Sequence, residues 1–312
     1  MTLDTAVTSA TTIGVPTALS IPGYVLVPTG ARMFYVRSTG PQSFDPPALN
    51  NIITTVNAAL ALCRANMGDT VYVLPGHVET LTASGAWSNL VNGVRIVGGG
   101  SGTERPTFTL TGSNSSGNLQ INKNNVVLDN LVFQNGGSDC TLAFDFSGAN
   151  VTVQNCYVQA SDASNKLTTV MRLSTGANDF HCFNTQIIGG ATAITDTCLI
   201  NAAVTRAVFD KCYFAASLGT TEGLITNATA ATTRILIKDC VFENNVASST
   251  VALKFTGTPT GTLFKNALGI TVADGAGVGV AALNTPGSLR VNETYTCTVG
   301  KASVLSAAAT TA

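Results

Sequence analysis

"VVLDNLVF" (126–133), "VTVQNCYV" (151–158), "FHCFNTQI" (180–187), "AVFDKCYF" (207–214) and "ILIKDCVF" (235–242) are five versions of one segment. Each opens on an alternating pair: Val126/Leu128, Val151/Val153, Phe180/Cys182, Ala207/Phe209, Ile235/Ile237. Two residues on come Asn130, Asn155, Asn184, Lys211 and Asp239, spaced by 25, 29, 27 and 28 residues. The next position reads Leu131, Cys156, Thr185, Cys212, Cys240, and two further on sit Phe133, Val158, Ile187, Phe214, Phe242. An apolar period of two marks strands and disfavours helical repeats. A repeat of this length built from short strands is the signature of a solenoid.

A second short strand follows each segment: "TLAFDF", "TVMRLS", "TCLINA", "GLITN" and "VALKF", with Gly, Asn, Ser and Thr between. That is the pattern of a right-handed parallel β-helix. Each coil bends at polar corners, and the next is stacked about 4.8 Å above it. Weaker copies at "TVYVLPG" (70–76), "GVRIVGGG" (93–100) and "GTLFKNALGI" (261–270) bring the expected number to seven or eight coils. Asn266 is expected in the corner position of the last of these. Stacking predicts an inward column of Phe133, Val158, Ile187, Phe214 and Phe242. It predicts a second column in which Cys156, Cys212 and Cys240 serve as small apolar fillers. Asn130, Asn155 and Asn184 predict an amide ladder at a corner.

Working outward, a solenoid needs its open sheet ends covered. Residues 45–67, "DPPALNNIITTVNAALALCRANM", read as an amphipathic capping helix. Asp45 is its cap, Pro46 and Pro47 lead in, and Ile52, Val56, Ala59, Leu60 and Cys63 lie on one face. Residues 1–44 read as an N-terminal docking arm, 68–275 as the β-helix, and 276–312 as a C-terminal strand and tail.

Composition narrows the function. Only 11% of the 312 residues are charged, the net charge is -1, and no basic cluster suits phosphate neutralisation, so no nucleic acid is expected. No apolar run approaches the roughly 20 residues of a membrane span, so no membrane is expected. The start, "MTLDTAVTSATTIG", lacks the plan of a secretory leader, and the eight cysteines are expected to be reduced. They have no CxxC or Cys/His spacing for zinc.

"GDTVYVLPGHVETL" (68–81) raises a catalytic question, because His77, Glu79 and Asp69 fall within a few residues. The simpler reading is that His77 bonds at a corner. His181, the other histidine, is on the outward phase of its strand. A glycosidase needs two carboxylates ~5–9.5 Å apart. Asp129 and Asp210 are equivalent but three coils apart, about 14 Å, with Gln154 and Phe183 between them. Asp239 is expected to pair with Lys211 beneath it. Asp139, Asp145, Asp162, Asp179 and Asp196 read as turn residues. "GGGSG" (98–102) lacks the Lys-Ser/Thr of a phosphate loop and reads as a turn. No catalytic, cofactor-binding or metal-binding residue is therefore expected, no cofactor is implied, and the chain is expected not to be an enzyme.

"ALALCRANMGDTVYVLPGHVETL" (59–81), "VNGVRIVGGGSGTERPTFTL" (91–110) and "NNVVLDNLVF" (124–133) resemble virion proteins of tailed bacteriophages that carry a pectate-lyase-like β-helix. The resemblance covers residues 45–135 by motif and the rest by coil pattern. It implies that Pro75, Gly76, His77 and Glu79 are a structural signature. It also implies a virion location, commonly as a homotrimer in contact with the major capsid protein or other virion proteins, made in the host cytoplasm. The expected function is a capsid decoration or cement protein on the head surface. The alternative is a tail spike or receptor-binding protein, with or without cleavage of a polysaccharide, which predicts an aromatic- and acid-lined groove along the solenoid.

Overall fold

In the computed structural model, the described residues are 30–40, 51–82, 84–111, 118–136, 139–162, 165–190, 192–218, 223–228, 232–244, 253–255, 259–270, 283–284, 289–292, 295–298 and 301–303. They form an all-β, right-handed parallel β-helix. Three sheets run along it with ten, ten and seven strands. Sheet I holds the first half of each repeat segment, as in Val127–Asp129, Thr152–Gln154, His181–Phe183, Val208–Asp210 and Ile235–Lys238. Sheet II holds the second half, as in Val132–Asn135, Tyr157–Gln159, Gln186–Ile188, Tyr213–Ala216 and Val241–Asn244. Sheet III holds the strand that follows, as in Leu119–Ile121, Cys140–Phe146, Leu167–Leu173, Asp196–Ile200 and Ile225–Asn227.

The register is the one the repeat demands. Val153 pairs with Leu128 on one side and Cys182 on the other, and Val158 with Phe133 and Ile187. Phe133, Val158, Ile187, Phe214 and Phe242 are all buried, as the column requires. Aromatic rings continue through the interior. Phe108 stacks on Phe133 at 5.4 Å, Phe133 meets Phe144 edge-on at 4.8 Å, and Phe146 meets Phe180 at 5.0 Å. Each such pair adds about 0.5–1.5 kcal/mol beyond the area it buries.

The corner between sheets I and II is left-handed in every repeat: φ is 56° at Asn130, 53° at Asn155, 45° at Asn184, 55° at Lys211 and 52° at Asp239. Asn suits this region because its short amide can bond locally. The ladder forms: Asn184 Nδ2 donates to Asn155 Oδ1 and Asn155 Nδ2 to Asp129 Oδ1, both at 2.8 Å. In the next coil the left-handed residue is Lys265, at 52°, and not Asn266. Asn266 falls in the cysteine column, where it is buried, accepts from Cys240 N at 3.0 Å and donates to Ile237 O at 2.9 Å. The repeat is displaced by one residue from the expected alignment, and the corner geometry shows it.

A second left-handed corner, between sheets III and I, was not anticipated. Asn125, Asn150, Asp179, Arg206 and Arg234 occupy it with φ from 55° to 61°. Asn150 Nδ2 donates to Asn125 Oδ1 at 2.7 Å, and Arg206 pairs with Asp179 of the preceding coil. At "GGGSG", a Cβ on Gly98 would come 2.3 Å from the Asn130 carbonyl oxygen, so the close approach demands glycine there.

The N-terminal cap is smaller than the expected helix over 45–67. The α-helix is Val56–Leu60, with Thr55 as N-cap accepting from Ala58 N at 3.2 Å. Ile53 is instead extended and bridges Val36, in keeping with its β-branched side chain. Val56, Ala59 and Leu60 are buried as the amphipathic pattern requires. Asp45, Pro46 and Pro47 lie outside the described residues. Met33–Val36, assigned to a separate arm by sequence, pairs with Thr70–Val73 and is the first strand of sheet I. At the far end Leu289–Asn292 and Tyr295–Thr298 pair in parallel with the preceding coil, so the solenoid extends beyond residue 275.

Candidate functional site

The cluster suggested by residues 68–81 separates into two structural units. Asp69 is wholly buried and accepts from Arg32 N at 2.7 Å, Arg64 N at 2.8 Å, and Arg64 Nη2 at 2.8 Å. The Arg64 guanidinium holds its carboxyl down at about 2. His77 is also wholly buried, and its Nε2 lies 3.1 Å from Glu79 Oε2. That same oxygen accepts from Val56 N at 3.0 Å, so Glu79 ties the first coil to the start of the capping helix. Both carboxylates are consumed in holding the mouth of the solenoid shut.

Polar side chains that face outward in register form the other candidates. In sheet III, Gln120, Asp145, Arg172 and Leu199 occupy successive rows. Arg172 grips Asp145 with both arms of its fork, Nε to Oδ1 at 3.1 Å and Nη2 to Oδ2 at 2.8 Å. Ser174 Oγ donates to Oδ1 at 2.6 Å. Asp145 thus sits within the strand Cys140–Phe146, and not in a turn as expected. Asp196 also begins a strand, Asp196–Ile200, and is buried. The bidentate geometry orients the carboxylate and raises the Arg172 guanidinium further.

In sheet I the outward row is Asp129, Gln154, Phe183, Asp210 and Lys238, as expected for the first four. The ion pair differs from expectation. Lys238 Nζ bonds Asp210 Oδ2 at 2.8 Å, while Lys211 Nζ lies 5.7 Å over the Phe183 ring instead of on Asp239. His181 faces outward between Thr152 and Val208, half-buried. In sheet II the outward row includes Val132, Tyr157, Gln186, Tyr213 and Val241. Tyr213 donates its hydroxyl to Glu243 Oε2 at 2.7 Å, which pushes the phenol up to about 12.

The described cysteine side chains are unpaired. Cys156, Cys212 and Cys240 fill the core column, and Cys212 Sγ also touches Cys182 Sγ at 3.6 Å. Burial pushes the Cys156 thiol up to about 12, which suits packing and not nucleophilic attack. Among the described residues no group of three or more His, Cys, Asp or Glu could hold a metal ion.

No family model matches the chain, and no curated protein matches it. Three solved chains do, among them a pectin methylesterase from carrot, 16% identical, covering 86% of this chain and 83% of that chain with a TM-score of 0.47. A likeness of that size concerns the fold, which the sheets establish independently. It corrects one sequence-based expectation, that the chain is not an enzyme. The solved chain it matches is an enzyme by name.

Sequence reasoning missed Arg172 and Ser174, and misread Asp145. The signal was present: Asp145 in "TLAFDF" and Arg172 in "TVMRLS" are 27 residues apart, one repeat period. Only the strand phase was lacking.

Proposed function

We propose that the chain is a polysaccharide-engaging β-helix of the tail-spike type, working on the outer face of sheet III. The observation that carries this reading is the Asp145 carboxylate, clamped by Arg172 and Ser174 with Gln120 one coil below. A solenoid face presents such groups in a straight row, which suits an extended polymer. The clamped carboxylate is held in place to accept from sugar hydroxyls. The reading includes a virion location, self-association as a homotrimer and attachment to other virion proteins.

The test is incubation of the purified chain with capsular and cell-wall polysaccharides of candidate bacterial hosts. Retention by a polysaccharide matrix, with or without new reducing ends or released acid, supports the reading. Equal retention and turnover in Asp145→Asn would remove Asp145 from the site.

A second reading, docking as a head-surface decoration protein, is favoured by one observation. Leu62, Met67 and Val78, exposed at 51%, 44% and 56%, are the exposed large hydrophobics among the described residues, and all three sit near the N-terminal mouth. Labelling of intact particles with an antibody to the chain separates the two: regular copies over the head support docking there, and label at the tail tip supports the spike.

A further inference from the structure

Sheet II carries a row of side chains unlike those of the other two faces. Tyr157 and Tyr213 share one column, with Gln186 between them on the intervening coil. The next column holds Gln134, Gln159, Ile188, Ala215 and Glu243. Gln159 and Gln186 are exposed, and both tyrosines are half-buried, so each ring shows part of its surface to solvent. These two columns, from Val132 to Val241 and from Gln134 to Glu243, have no lysine or arginine. The corner lysines beside them turn away, Lys211 over Phe183 and Lys265 over Phe264, both on sheet I. Sheet III, by contrast, presents Arg172 and Lys254 in its outward row.

The spacing has a consequence. Rows are about 4.8 Å apart, so the two rings stand about 10 Å from one another along the axis. One row is close to the length of a single sugar in an extended glycan. Rings on alternate rows therefore meet alternate sugars, and the amide between them meets the hydroxyls of the sugar that no ring covers. Aromatic faces take the apolar faces of sugars, while glutamine offers both a donor and an acceptor. Tyr213 is held in place by its bond to Glu243. With Glu243 and no cation in these columns, a polyanionic glycan is repelled and an uncharged one is not.

We infer that the outer face of sheet II is a binding rail for an extended, uncharged polysaccharide lying along the solenoid axis, with Tyr157 and Tyr213 as stacking platforms and Gln186 as the hydrogen-bonding group between them. This rests on the reading that the chain engages polysaccharide, and it places a binding surface apart from Asp145.

The experiment is affinity electrophoresis of the full chain through gels containing an uncharged linear glucan, an uncharged galactomannan or a polyuronate. The chains compared are wild type, Tyr157→Ala, Tyr213→Ala, Tyr213→Phe and Asp145→Asn, with thermal unfolding and sedimentation of each as controls. The expected result is retardation of wild type by an uncharged glycan only. Each Tyr→Ala change should weaken it about tenfold or more, while Tyr213→Phe, which keeps the ring, binds near wild type. Wild-type binding that survives both Tyr→Ala changes but is lost in Asp145→Asn overturns the rail and leaves the proposed function standing. Preference for the polyuronate overturns it as well. Tyr→Ala changes that alter the sedimenting species instead of glycan binding show that a second copy occupies the face. No retardation of wild type by any polysaccharide overturns both readings together.

Discussion

Asn184 donates from Nδ2 to Oδ1 of Asn155 at 2.8 Å, across one coil of the solenoid, and both residues are left-handed. Asn155 in turn donates to Asp129. One side chain therefore completes the corner of the coil beneath while its own backbone takes a conformation that most residues avoid. Asn155→Ala should lose both ladder bonds and incur left-handed strain, costing about 2–3 kcal/mol. Asn155→Gly removes the bonds but not the conformational freedom, and should cost less. Urea unfolding midpoints of the two variants measure the difference, and equal midpoints would show that strain contributes nothing.

The ring column makes a second prediction. Phe214 is wholly buried, and its ring lies 5.3 Å from Phe242 and 6.2 Å from Phe209. Phe214→Ala should destabilise by about 3–5 kcal/mol, since neighbouring coils cannot collapse into the space without breaking register. Phe214→Leu should cost much less. Chemical denaturation reads both.

Glu79 joins the cap to the first coil through Val56 N and His77. Glu79→Ala should open the N-terminal end and leave the middle coils closed, because each coil contacts only its neighbours. Amide hydrogen exchange should accelerate at Val56 and in Thr70–Val73 and stay unchanged at Thr152–Gln154.

Asp69 sets a pH dependence. Its carboxyl is lowered from 3.8 to about 2, chiefly by the hydrogen bond from Arg64. A carboxyl lowered on folding adds stability that is complete above its unfolded value and lost as pH falls through the folded one. The loss therefore lies between about pH 4 and about pH 2. Because Arg64 is partly exposed, the contribution is on the order of 1 kcal/mol. Asp69→Asn should be less stable than wild type at neutral pH, and the gap should narrow below pH 4. A constant gap across that range would exclude Asp69 as the titrating group.

Legibility in the sequence tracked how local each feature is. The corner asparagines, the phenylalanine column and the cysteine filling follow from a repeat that can be laid over itself. Asn266 was misplaced by one residue because an Asn beside a Lys reads the same in either alignment until φ is known. The capping helix was overextended because the apolar spacing that builds a helical face also suits Ile52 and Ile53 in extended backbone.

From sequence alone come a period-two apolar pattern and a fixed repeat, and these dictate a stacked parallel β-helix, since only that stacking buries every copy of the same apolar positions. The choice of partners belongs to the tertiary structure. Asp145 and Arg172, or Tyr157 and Tyr213, become neighbours on one face only when each coil's length and corners set the phase of its strands. A shift of one residue would send those side chains to the opposite face of the sheet. Nothing local to either residue carries that information, and it is the coil above or below that supplies it.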